Sequence, residues 1–194
     1  MNEILRYLMI FIVYFMYFLL LIIVFKLIFQ GVVKTAHSNW STLLDGCNYS
    51  SQEFYRRLKE ELQSQGIKNV QAYTVSLREG GLLSSSRLYL RLEWKEYQYD
   101  ICASPFGKGF FISWWLLYNH SLWKILIAKI PYVGKWLDRM WFPMTYYKVD
   151  IASMFMTYCQ SSVLKVIDDI SKEKGMRSLS EDQRKPMLKD MFKR

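Results

Sequence analysis

The stretch Leu8–Phe25 reads LMIFIVYFMYFLLLIIVF, eighteen residues without a charge, a glycine or a proline. At 1.5 Å per residue such a run makes roughly 27 Å of helix, close to the ~30 Å hydrocarbon thickness of a bilayer. Ile4 and Leu5 before it and Leu27, Ile28 and Phe29 after it lengthen the apolar segment. Arg6 and Lys26 bracket it with stems that can reach the headgroup layer. A secretory signal has an apolar core of about 7–15 residues that ends at a small-x-small cleavage site. This run is longer, rich in Phe and Tyr, and followed by GVVKTA from Gly31, which offers no such site. The expectation is a retained transmembrane anchor over residues 1–30.

The anchor has a repeat of its own. Tyr7, Tyr14 and Leu21 recur every seven residues, and Tyr17 falls on a similar side. A seam of this kind can pack against copies of itself, with Tyr hydroxyls bonding between helices. Tyr7, Tyr14, Tyr17 and Leu21 are therefore the predicted oligomer seam, and a homo-oligomer in the lipid bilayer the predicted assembly. An aromatic helix facing lipid, with no affinity for itself, is the alternative.

Lys and Arg near the two ends of the span are almost balanced, so they do not orient it. The body gives a second clue. Beyond residue 30 stand 24 of the 26 Lys and Arg and 16 of the 17 Asp and Glu. Cys47, Cys102 and Cys159 are scattered and odd in number, unlike a disulfide framework. The expected location is the cell (inner) membrane, single-pass, with the large domain in the cytosol.

The remainder is long enough for one core. Residues 31–49 read as a connector with few helical signals, punctuated by Gly31, Ser38, Asn39, Asp45 and Gly46. Residues 50–175 read as a basic soluble domain. Ser50 with Glu53 fits a capping box opening a helix whose apolar face is Phe54, Leu58 and Leu62, with Gly66 as its stop. The period then changes from 3.6 to 2. Strands are predicted over 69–77, 87–94, 97–103 and 110–115, with Lys95-Glu96 and the PFGKG segment as turns. In 87–94, Leu88, Leu90, Leu92 and Trp94 point one way and Arg87, Tyr89, Arg91 and Glu93 the other. A last helix is expected over 151–174, capped by Asp150 and closed by Gly175, with a basic tail over 176–194. The fold class is α+β: an N-terminal transmembrane helix, then three or four antiparallel strands packed with helices.

Residues 119–142 read as an amphipathic helix kinked at Pro131. Trp123 and Trp141 lie on its apolar side, and Lys124, Lys135 and Arg139 on the basic one. That is the composition of a helix lying in a membrane interface against anionic lipid. A helix covering the apolar face of the sheet explains the pattern equally simply.

No nucleophile–base set, metal-ligand spacing or phosphate-binding loop is present, and no cofactor is implied. His37 and His120 stand outside any motif, and the Cys and His residues are dispersed. Binding is the expected mode of action. Arg87, Tyr89, Arg91 and Gln98 form the candidate ligand face, because Arg and Tyr interleaved on a sheet can hold phosphates and stack bases. A solvated strand face with Arg–acid pairs across it is the plainer reading. In architecture alone, one anchor joined to a basic domain looks like the membrane effectors of bacterial antiviral defence, in which a nucleotide or oligonucleotide signal gates an oligomeric pore. An anchored scaffold or assembly subunit, held by anionic lipid or a protein partner, is the second expectation.

Overall fold

The computed structural model describes residues 2–30, 32–78, 86–122, 125–126, 131–132, 136, 140 and 145–188. The chain divides into two units, Met1–Val33 with His120–Pro143, and Lys34–Asn119 with Met144–Arg194.

The first unit is built on α1 (Asn2–Gln30), a single helix without internal breaker. Its Arg6–Lys26 segment is long and apolar enough to cross a membrane, and none of it is buried within the protein. Tyr7, Tyr14, Tyr17 and Leu21 are all exposed.

The second unit contains a six-stranded sheet ordered β2-β3-β4-β5-β1-β6 and two long helices. Its strands are β1 (Val32–Leu44), β2 (Gln71–Arg78), β3 (Ser86–Trp94), β4 (Tyr97–Phe106), β5 (Gly109–Ser121) and the two-residue β6 (Met187–Leu188). Helix α2 spans Ser51–Ser64, α3 Tyr146–Glu173, and the short α4 Glu181–Arg184. The four strands β2 to β5 form the antiparallel meander expected from the alternating pattern.

The connector over 31–49 is a correction: most of it is β1. Ser38, Trp40, Thr42 and Leu44 alternate into the interior, but two of the four are small and polar, which hides the period. The expected helix over 119–142 is a second correction at its start, because β5 continues through Asn119, His120 and Ser121. The cover that such a helix was needed for comes from α2 and α3. Phe54, Leu58 and Leu62 of α2 and Ala152, Phe155, Cys159, Val163, Ile167 and Ile170 of α3 are buried against Leu90, Leu92, Tyr99, Ile101, Ile112, Trp114 and Leu116 of the sheet. Trp114 stacks on Tyr99 with ring centroids 4.6 Å apart. Tyr55 pins α2 to the sheet: its hydroxyl donates to the Leu88 carbonyl at 2.8 Å and accepts from the Ala103 N–H at 2.8 Å.

Helix ends follow local chemistry with two departures. Ser50 sits at the N-cap of α2 but makes no side-chain cap bond. Glu53 turns instead to Arg56 and Arg57, because two guanidiniums within a turn outcompete one backbone N–H. α3 starts at Tyr146, capped by Thr145 and not by Asp150, which lies inside the helix. At its other end Gly175 takes φ +63°, and the Met176 N–H reaches the Ser171 carbonyl at 2.8 Å, closing the helix as a left-handed glycine cap does.

Candidate functional site: the sheet face away from the helices

Antiparallel register aligns the predicted ligand residues in rows. Tyr73, Arg91, Asp100 and Trp115 face one another across β2, β3, β4 and β5, with Val75, Tyr89, Cys102 and Ser113 beside them. Leu90, Leu92, Tyr99 and Ile101 take the opposite, helix-covered side by the two-residue alternation of a strand. Arg87, Tyr89, Arg91 and Gln98 are thus brought to one face, as the sequence suggests.

What the face can do is narrower than expected. Arg91 is not open to a ligand. Its Nε lies 2.8 Å from Asp100 Oδ1 and its Nη2 2.9 Å from Oδ2, a bidentate pair with side chains only 12% and 6% exposed. Gln98 Nε2 donates to the same Asp100 Oδ2 at 2.6 Å, and Gln98 itself is fully buried. The guanidinium and the amide therefore neutralise and satisfy an internal carboxylate. The Asp100 bond holds Arg91 above the ordinary arginine range. Gln98 Oε1 has no hydrogen-bond partner among the described residues.

The alternation in β4 suggests a partly polar face, yet every residue from Tyr97 to Ala103 is buried. The Asp100 pair and the Tyr89–Cys102 contact close over the polar side. Burial pushes the Cys102 thiol up, only partly opposed by the Tyr89 hydroxyl. Burial likewise lowers the Lys34 ammonium, helped by Arg91 and opposed by Asp100 and Glu93. Arg87 is exposed and forms no ion pair among the described residues. Of the four predicted ligand residues, Arg87 and the half-buried Tyr89 keep groups that a ligand could reach.

Trp123, Lys124, Lys135, Arg139 and Trp141, the predicted membrane-interface residues, lie outside the described residues. No group of three His, Cys, Asp or Glu side chains that could hold a metal occurs among the described residues. Cys47, Cys102 and Cys159 are free, buried and raised in pKa by that burial. A buried thiol of this kind is a poor nucleophile.

A clasp that the sequence did not reveal fastens the segment after α3. Trp114 Nε1 donates to Gln160 Oε1, and Gln160 Nε2 donates to the Arg184 carbonyl at 2.9 Å. The Arg184 guanidinium grips Asp168 at 2.6 and 3.1 Å. Trp40 Nε1 donates to the Gln183 carbonyl at 2.6 Å, and Ser38 Oγ to that of Met187 at 2.8 Å. Ser180 and Gln183 form a capping box at the start of α4. The segment borders an open cleft of about 560 Å³ lined by Leu43, Asp45, Arg177, Ser178 and Ser180.

No protein-family model matches the chain, and no curated protein matches it. Among solved structures, the chain is similar to the crystal structure of TTHA0849 from Thermus thermophilus, at 15% identity over 74% of this chain and 99% of that one. The TM-score is 0.25, too low for that likeness to bear on fold or function.

Proposed function

We propose that the chain is a single-pass membrane protein that acts by binding and not by catalysis, with its basic domain on the cytosolic side of the cell membrane. In this reading α1 anchors and gathers copies in the bilayer, and the domain serves as a scaffold or assembly subunit for anionic lipid or a protein partner. The observation that carries it is an unburied apolar helix joined to a domain whose most obvious anion site is closed by its own carboxylate. The unreactive character of the buried thiols supports binding over nucleophilic chemistry. Fractionation of cells expressing the full chain tests the anchor. Protein that resists alkaline carbonate extraction, with the domain digested by protease only in inverted vesicles, supports the reading. Release by carbonate, or digestion from the outside of intact spheroplasts, contradicts it.

The second reading is a nucleotide- or oligonucleotide-gated effector that permeabilises the membrane. It is favoured by the exposed Tyr7, Tyr14, Tyr17 and Leu21 row and by the +9 net charge. It requires the anionic signal to bind through Arg87, Tyr89 and other cations, or to displace Asp100 from Arg91. Conductance across liposomes carrying the full chain tests it: ion flux that depends on an added oligonucleotide supports it, and none at any ligand concentration rejects it.

A further inference from the structure

The segment Leu179–Leu188 lies along the outer side of β1, and the bonds that hold it there are polar. Gln183 and Met187 offer their carbonyls to Trp40 and Ser38 of β1. Arg184 offers its carbonyl to Gln160 of α3 and its guanidinium to Asp168 of the same helix. Among the described residues of the segment Leu179 alone is buried, and α4 buries nothing. Among the described residues β6 adds main-chain pairing at Ser38 and Asn39 alone. The core is held differently, because α2 and α3 bury whole apolar faces against the sheet. A part fastened by hydrogen bonds and one half-exposed ion pair opens at far lower cost than a part that buries an apolar face.

We propose that Ser180–Leu188 is a latch that opens as one unit while the sheet, α2 and α3 stay folded, uncovering the outer edge of β1 from Ser38 to Trp40. Arg184 is its catch. Gln160 and Asp168 hold the two ends of this residue from about two turns apart on α3. Arg184 also stands between the two fastenings to β1, at Gln183 and Met187. The Ser180–Gln183 capping box and the bond from Arg184 Nε to the Leu179 carbonyl tie the catch to the residues before it, so the segment moves together. Opening strands no group in the core. Gln160 Oε1 keeps the Trp114 indole N–H, and Trp40 Nε1 and Ser38 Oγ meet water at the uncovered edge. The cleft lined by Leu43, Asp45, Arg177, Ser178 and Ser180 gives the first residues of the latch room to swing. The latch lies wholly within the second unit, so it stands or falls independently of the membrane reading.

Hydrogen exchange of the full-length protein in detergent, read by mass spectrometry at single amides, tests it. Latch amides are expected to exchange through an opening that low urea barely changes, and Val163–Ile167 of α3 only through one that urea strongly promotes. D168N removes the charge of the catch. It is expected to speed exchange of the latch about fivefold, Met187 and Leu188 included, and to leave Val163–Ile167 unchanged. W40F removes the donor to Gln183 and keeps an aromatic ring, and is expected to act in the same direction from the β1 side. The ion pair is 24% and 28% exposed, so salt at about 0.5 M should speed the wild-type latch and not D168N. Acceleration in D168N confined to Arg184 and Lys185 would be fraying, and overturns the proposal. Equal protection of latch and α3 amides, no change in either variant, or equal salt acceleration of D168N and wild type overturns it as well.

Discussion

Replacing Asp100 by alanine should be among the most damaging single changes to the domain, and the structure says why. Asp100 accepts both arms of Arg91 and the Gln98 amide in a site where Arg91 is 12% and Asp100 6% exposed. Truncation leaves a guanidinium desolvated without its counter-charge and strands an amide whose Oε1 already lacks a donor among the described residues. Breaking a buried pair from one side costs about 3–5 kcal/mol, whereas replacing both partners by apolar residues of similar size is often near neutral. For a domain of this length each kcal/mol moves Tm by about 2–4 °C, so D100A should lower Tm by roughly 6–20 °C. R91M/D100L should recover most of that loss. The assay is thermal unfolding of the full chain in detergent, followed by Trp emission, with R91M, D100L and the double variant closing a cycle. The charge-only variant D100N adds a functional readout: it frees Arg91 and should raise binding of a fluorescent oligonucleotide, reversibly by salt. A D100A loss under 1 kcal/mol with no gain of anion binding by D100N would refute the claim that Asp100 closes this face.

Other consequences are simpler. Glu53 is held down at about 2 by Arg56 and Arg57, and Glu61 and Glu173 are lowered by Lys165 and Arg57. Depressed carboxylates contribute stability above their unfolded pKa and lose it as pH falls, so Tm should decline from about pH 5 toward pH 2, less steeply in E173Q. A Cβ at Gly109 would lie 2.9 Å from the Leu44 carbonyl oxygen, so G109A should cost about 1–3 kcal/mol in urea unfolding. Q160A cuts both the Trp114 and Arg184 links, so trypsin should cleave after Arg184 faster than in the wild type, and the orphaned Trp114 N–H should cost the core about 1–3 kcal/mol in urea unfolding. None of the three native thiols should react with a maleimide before unfolding, and rapid native labelling of Cys102 would contradict its burial.

The long apolar helix α1 was legible because eighteen consecutive apolar residues carry no charge, glycine or proline to break it, and the meander because alternation in β3 and β4 is strong. β1 escaped because its buried alternation runs through Ser38 and Thr42, whose small polar side chains do not register as core. The start of α3 was misplaced because Thr145 and Asp150 are both plausible caps, and only the first has an amide within reach. At the candidate site the sequence placed Arg87, Tyr89, Arg91 and Gln98 on one face correctly. The β3–β4 register that sets Arg91 opposite Asp100 follows from the two-residue Lys95-Glu96 turn, so the Arg–acid pairing named as the plainer reading was within reach; what the sequence did not show is how deeply the pair is buried. The clasp from Trp114 through Gln160 to Arg184 spans elements far apart in sequence, and no local pattern announces it.

The most direct test of the account is the mass of the full-length protein solubilised in mild detergent, measured by light scattering with absorbance at 260 and 280 nm on the same peak. An anchored, self-associating binding protein predicts a discrete oligomer whose mass holds on dilution. A monomer across a hundredfold range of concentration, with neither lipid nor nucleotide retained, would contradict it.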